Sequence, residues 1–180
     1  ANLVATQITT TELIASSTVF AADTNITTQG YLASGDGGSG SWVQNGVTGQ
    51  TVSQSPSQLA MALLNDAAGN QWALLFPSDI NLNAVGGFAG DDVTLPVRAA
   101  IATLAANGGV ITFPAARGLT YDYSSSISVS SSNIVFVGFG GDVGHDGGTG
   151  QLNQASTIFK WIGAVGDRMF ELTTPEGEEK

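Results

Sequence analysis

The sequence predicts a mainly β fold: a small N-terminal β domain, one clear helix, and then a run of short strands. Three observations carry this. Segments rich in Val, Ile, Phe, Tyr and Thr recur at short, near-regular intervals, each stopped by a glycine, serine or proline corner. Glycine occurs 24 times in 180 residues, where about 13 would be usual at a frequency of about 7%. Polarity comes from Ser, Thr, Asn and Gln, because only 11% of residues are charged although 42% are hydrophobic.

Taken in order, residues 1–25 form an N-terminal segment. Within it Thr10–Ala15 reads as a short helical turn, with threonine at the cap and Glu12 in the first turn. Ser17–Phe20 favours a strand. Residues 26–80 read as the small β domain. Ile26–Leu32 is strand-like, Gly35–Gly40 is a tight polar turn, and Ser41–Gln44 is a second strand. Ser57–Ala68 suits either a helix or a strand plus a turn. Gln71–Phe76 is a buried strand stopped by Pro77.

The next part, residues 81–172, opens after the Gly86-Gly87 break with the helix. Asp92 or Thr94 can cap it, Pro96 sits in its first turn, and Asn107-Gly108-Gly109 ends it. Val97, Ile101, Leu104 and Ala105 share one apolar face. Val110–Phe113 follows as a strand ended by Pro114. Leu119–Tyr123, Ile127–Ser130, Ile134–Phe139, Thr157–Trp161 and Met169–Leu172 then read as further short strands. With no helix between them they suit a sandwich, a barrel or a solenoid. Residues 173–180 form an acidic, apolar-free tail.

Charge distribution excludes some partners. The first basic residue is Arg98, so residues 1–97 carry net charge −7 against −10 for the whole chain. Nucleic-acid binding needs clustered Lys and Arg, so none is expected, and neither is membrane insertion, since no apolar run approaches 18 residues. The absence of cysteine leaves no disulfide framework and no thiolate metal site. No metal and no cofactor are expected.

Several motifs invite a chemical role. Gly35-Asp36-Gly37-Gly38-Ser39-Gly40 satisfies G-x-G-x-x-G, but a strand follows it where a dinucleotide site needs a helix. A corner turn is therefore expected. Asp91 and Asp92 precede the helix, whose free N–H groups favour an acid there. The one mixed constellation holds Asp142, His145 and Asp146 in a glycine-rich stretch. These are the catalytic candidates, as metal ligands or a general base, against a reading as turn residues. Tryptophans and tyrosines are expected in core or interface packing rather than stacked on sugars.

Five blocks then carry a resemblance. Gly30-Tyr31-Leu32-Ala33-Ser34-Gly35-Asp36-Gly37-Gly38-Ser39-Gly40-Ser41-Trp42 resembles the G-Y-x-x-x-G-D-G-G-G-G-x-Y segment near the N-termini of bacteriophage tailspikes and tail fibres. The stretch from Asn81 through Phe88 and Gly90-Asp91-Asp92 to Ile101 is similar to the F-G-A-x-G-D-G-x-x-D-D-T-x-A-I-Q-A-A-I block of the same proteins. Asn107-Gly108-Gly109-Val110-Ile111-Thr112-Phe113-Pro114-Ala115 resembles their G-G-G-x-V-x-F-P-A-G strand. Asn133–Gly140 and Ile158–Ala164 resemble successive rungs. Two departures stand out: Gly90-Asp91-Asp92 runs directly into the helix, and the glycine after Pro114-Ala115 is displaced to Gly118.

The resemblance implies the start of a right-handed, pectate-lyase-like parallel β-helix behind the small β domain. It implies a virion protein, with residues 1–25 as the particle-anchoring segment and with other phage structural proteins (tail, baseplate or head) as partners. It implies a homotrimer that contacts bacterial surface polysaccharide through a C-terminal region. Catalytic carboxylates of such proteins would lie on later rungs or between subunits, so none is carried onto this chain. The resemblance also implies a natural chain that runs beyond Lys180. Two other readings stay open: a polysaccharide-cutting hydrolase or lyase with Asp142 and Asp146, and a non-viral carbohydrate-binding β-helix protein.

Overall fold

Threonine at position 9 starts the first element. Its side chain accepts from the Glu12 N–H while the Glu12 carboxylate takes the Thr9 N–H at 2.7 Å, a reciprocal cap of helix α1 (Thr10–Ile14). The computed structural model describes residues 8–53, 55, 62–75, 78–114, 119–130, 133–138, 157 and 159–172. The acidic tail lies outside them.

Helix α1 packs on an antiparallel sheet made by β1 (Asn25–Thr27), β2 (Ser41–Gln44), β3 (Leu63–Asn65) and β4 (Gln71–Leu74), in the order β1-β2-β4-β3. Register places Ile26 opposite Trp42, and Trp72 between Gln44 and Leu64. Period-two alternation thus sends Ile26, Trp42, Leu64 and Trp72 to one face, where Leu13 and Ile14 of α1 cover them. Phe20 meets Trp72 edge-on at 5.1 Å.

A second core follows. Strand β5 (Asp79–Asn81) leads through a 3₁₀ turn at Leu82–Val85 to helix α2 (Thr94–Leu104). Six strands come next: β6 (Gly109–Phe113), β7 (Tyr121–Tyr123), β8 (Ile127–Val129), β9 (Ile134–Gly138), β10 (Phe159–Trp161) and β11 (Phe170–Leu172). Each of β6, β7 and β8 pairs in parallel with the strand three places later. This is a coil of two turns, in which three sheets share one interior. Strand β5 adds to the free edge of β6, and an Asp92–Asp122 bridge extends the β7 sheet on the same side. Helix α2 packs against β6 and β8 there and closes that end of the coil.

Burial alternates as a coil requires. In β7, Tyr121 and Tyr123 are buried around a half-buried Asp122; in β8, Ile127 and Val129 are buried around an exposed Ser128. Side chains in register stack along the axis: Ile80, Ile111 and Phe136 form one column. Phe113 meets Tyr121 at 5.2 Å and Phe159 at 4.8 Å, both edge-to-face, and Tyr123 meets Phe170 at 5.4 Å. Such pairs contribute about 0.5–1.5 kcal/mol each beyond area burial. Trp42, Trp72, Tyr121 and Tyr123 are all core residues, as expected of the aromatics.

The mainly β class, the small β unit, the helix and the parallel turns match the sequence reading of the fold. Local expectations shift in three places, and one open alternative is decided. Ser17–Phe20 has no regular secondary structure and joins no sheet; the Thr18 carbonyl instead accepts from Asn70 Nδ2 at 3.2 Å. The Ile26–Leu32 strand stops at Thr27, because the chain turns at Gly30 to form the Asp36 loop. Of the two alternatives for Ser57–Ala68, the described residues 62–68 take the strand plus a turn. Ala105 is exposed, and Ala100 instead completes the buried face of α2 with Val97, Ile101 and Leu104.

Candidate functional site

Many of the residues singled out by sequence gather in two loops, one joining the two cores and one opening α2 within the second core. The first is the loop from Gly30 to Gly40. The Asp36 carboxylate accepts four backbone N–H groups: Tyr31 at 2.8 Å, Leu32 at 2.7 Å, Ala33 at 3.0 Å and Gly38 at 2.8 Å. Gly35 and Gly37 take φ of 83° and 81°, which lets the chain wrap that carboxylate. A Cβ on Gly30 would overlap the Ala33 carbonyl. Gly40 then lies against the Trp42 indole, and β2 follows directly. The G-x-G-x-x-G run is therefore a corner that binds its own aspartate, with no helix N-terminus behind it.

The second place is Gly90-Asp91-Asp92 at the start of α2. Asp92 is not the helix cap; that position is Val93, which has no side-chain cap bond. Asp92 reaches one residue further, accepting Thr94 N at 3.0 Å, Thr94 Oγ1 at 2.6 Å and Ser124 Oγ at 2.5 Å. It ties the helix to the corner after β7. Asp91 is exposed, and its carbonyl accepts the Asp122 N–H at 3.2 Å. Asp122 accepts Thr120 Oγ1 at 2.5 Å and faces Lys160 Nζ at 3.4 Å. Every carboxylate oxygen named here except those of Asp91 is engaged in holding backbone or neighbouring side chains.

Electrostatics point the same way. Burial raises the pKa of Asp36 and Asp92, but the hydrogen bonds outweigh it. For Asp36 these come from the N–H groups of Ala33, Tyr31, Gly38 and Leu32; for Asp92 they come from Ser124 and Thr94. Both end below the ordinary aspartate value and stay ionised at neutral pH, so neither suits a general acid. Burial pushes the Tyr121 hydroxyl up to about 12, and it donates to the Pro114 carbonyl at 2.6 Å. Burial, and then the neighbouring Tyr121, push Tyr123 higher still.

An acid-stability prediction follows. A carboxylate whose folded pKa is depressed contributes stability that is fully present above its unfolded value, about 4, and is lost as pH falls through the folded value. The melting temperature should therefore drop as pH falls below about 4. Asp36→Asn should melt lower at pH 7 and show a shallower acid limb. Thermal unfolding followed by circular dichroism across that range checks it; parallel curves for variant and wild type would refute the assignment.

Gly108 and Gly109 end α2 and begin β6, and Pro114 closes that strand, as the sequence suggested. Asp142, His145 and Asp146 lie outside the described residues. No group of three or more His, Asp or Glu that could hold a metal is found among the described residues, and none of their helices is long and apolar enough to cross a membrane. Sequence reasoning overlooked Asn81 and Asn83, whose amides reach the Asp36 loop, and the buried Asp66. Asn and Asp are common turn residues, so their long-range partners leave no local signal.

No protein-family model matches the chain, and no curated protein sequence does. Among solved structures, the chain is similar to the tailspike protein gp49 from Acinetobacter baumannii bacteriophage Fri1, a capsular polysaccharide depolymerase. The TM-score is 0.56 at 15% sequence identity, over 93% of this chain and 30% of that one. The chain thus spans less than a third of that tailspike's length, and what the two have in common is a β-rich, tailspike-like fold.

Proposed function

We propose that this chain is the particle-proximal part of a phage tailspike or tail fibre used in host attachment. One observation carries the reading: the passage from small antiparallel sheet through a closing helix to parallel turns is similar to a tailspike over 93% of the chain. In this reading the coil is the start of a right-handed, pectate-lyase-like β-helix. The protein is a homotrimer within the virion, and residues 1–25 with the small β unit face other phage structural proteins. The absence of any basic residue before Arg98 suits an attachment surface that associates through apolar and uncharged groups. Surface polysaccharide is engaged through a C-terminal region.

The solved neighbour's activity as a capsular polysaccharide depolymerase favours a second reading, in which the whole protein also cuts its receptor. Size-exclusion chromatography with light scattering tests the first reading: a mass three times 18.3 kDa is expected, and a strictly monomeric folded protein would count against it. Immunogold labelling of virions with antibody to residues 8–114 should decorate the particle. In parallel, turnover of capsular polysaccharide by this chain alone would move the activity into it and favour the second reading.

A further inference from the structure

The two cores are attached at two separate points. At the first, Asn81 Nδ2, just after the middle of β5, donates to the Gly37 carbonyl at 3.0 Å, and Asn83 Nδ2 of the 3₁₀ turn donates to the Asp36 carbonyl at 3.4 Å. Tyr31 lies against Phe88 with ring centroids 5.5 Å apart. A Cβ on Gly86 would stand only 2.9 Å from the Tyr31 hydroxyl, and one on Gly38 only 2.9 Å from the Asn83 carbonyl. The loop and the turn are therefore in backbone-close contact. At the second point, Leu74 of β4 packs against both cores, and the Ala62 N–H donates to Thr103 Oγ1 of α2 at 2.7 Å.

Those contacts need a loop of one shape. Asp36 supplies it: by collecting four N–H groups it leaves the Asp36 and Gly37 carbonyls as outward acceptors, and those are the atoms the two asparagines take. A loop ordered before it docks loses little entropy on docking. With a second attachment at Leu74 and Ala62, rotation about either point alone is blocked.

We propose that the Gly30–Gly40 loop is a clasp that makes the small β unit and the coil one rigid, cooperatively unfolding body, rather than two domains on a hinge. This does not depend on the virion reading; within that reading it would carry torque from attachment point to fibre. The clasp also gives Asp36 a second consequence, since losing its carboxylate loosens the loop and so the joint.

Native-state hydrogen exchange in rising urea, read by mass spectrometry on the whole chain, tests it. In the wild type, amides of β2–β4 and of β6–β8 should converge on one opening, and calorimetry should show one transition. In Asn81→Ala/Asn83→Ala the small unit should open at least about tenfold more often than the coil. Adding Asp66→Asn, which weakens the small unit only, should widen that gap in the variant yet shift both units together in the wild-type background. Separate openings in the wild type would overturn the clasp. So would equal acceleration of both units, or no change in either, in the double variant. If the double variant does not fold, Asn81→Ala alone, at an exposed bond, gives the same readout.

Discussion

Replacing Asp66 with alanine is expected to lower stability by about 3–5 kcal/mol, a large share of the 5–15 kcal/mol usual for a folded domain. Asp66 is fully buried in the turn between β3 and β4. Its carboxylate accepts Asn70 N at 2.9 Å, Asn70 Nδ2 at 2.8 Å and the Trp72 indole N–H at 2.9 Å. Asn70 Nδ2 keeps a second acceptor at the Thr18 carbonyl; the other two donors would be stranded in the core. The same turn holds the N-terminal segment, because Ala67 N donates to the Ile14 carbonyl and Ala68 N to that of Ser16. The variant should therefore also release residues 14–18. Urea unfolding followed by tryptophan fluorescence measures the first effect, and faster proteolysis near Ser16 the second. A loss under about 1 kcal/mol would mean that water replaces the carboxylate.

The second large effect is expected at Gly109. Its φ of 146° is one that side chains rarely adopt, and a Cβ there would overlap the Ser78 carbonyl and stand 2.8 Å from Leu104 Cδ2. The Ser78 carbonyl cannot yield easily. It accepts Val110 N at 2.8 Å, and Gly109 N itself donates to Asn133 at 2.9 Å, so a shift breaks the ladders on both sides of β6. Gly109→Ala should cost about 3 kcal/mol or more and reduce soluble yield. Gly35→Ala provides the comparison: φ is 83° but nothing lies within 4 Å of the added Cβ, so about 1 kcal/mol is expected from backbone strain alone. Equal losses at the two sites would show that the Ser78 contact relaxes.

Much of the fold could be read from local chemistry. Ser41–Gln44 and Val110–Phe113 announced themselves through β-branched and aromatic residues between glycine and proline stops. Helix α2 did so through Pro96 near its start and Gly108-Gly109 past its end. These signals sit within a few residues of the element they define. Ser17–Phe20 failed for the opposite reason. Its composition suits a strand, but the Thr18 carbonyl, like that of the preceding Ser16, is taken by the Asp66 turn some fifty residues later. Asp92 was read as a helix cap, whereas its reach to Ser124 depends on β7 lying alongside.

The candidate site divides in the same way. The Asp36 loop closes on itself within eight residues, so a glycine-rich run around one aspartate was enough to mark it as a corner. What that corner does was not legible, because its partners Asn81, Asn83 and Phe88 lie more than forty residues away. Sequence alone determined a mainly β chain with an uncharged polar surface, a helix between two β regions, and the positions of its corners. Tertiary structure decided how the later strands register into parallel turns, and that the two cores meet at the Gly30–Gly40 loop and again at Leu74 and Ala62. Propensity and turn chemistry act over neighbouring residues, whereas strand register and docking depend on which distant surfaces bury each other.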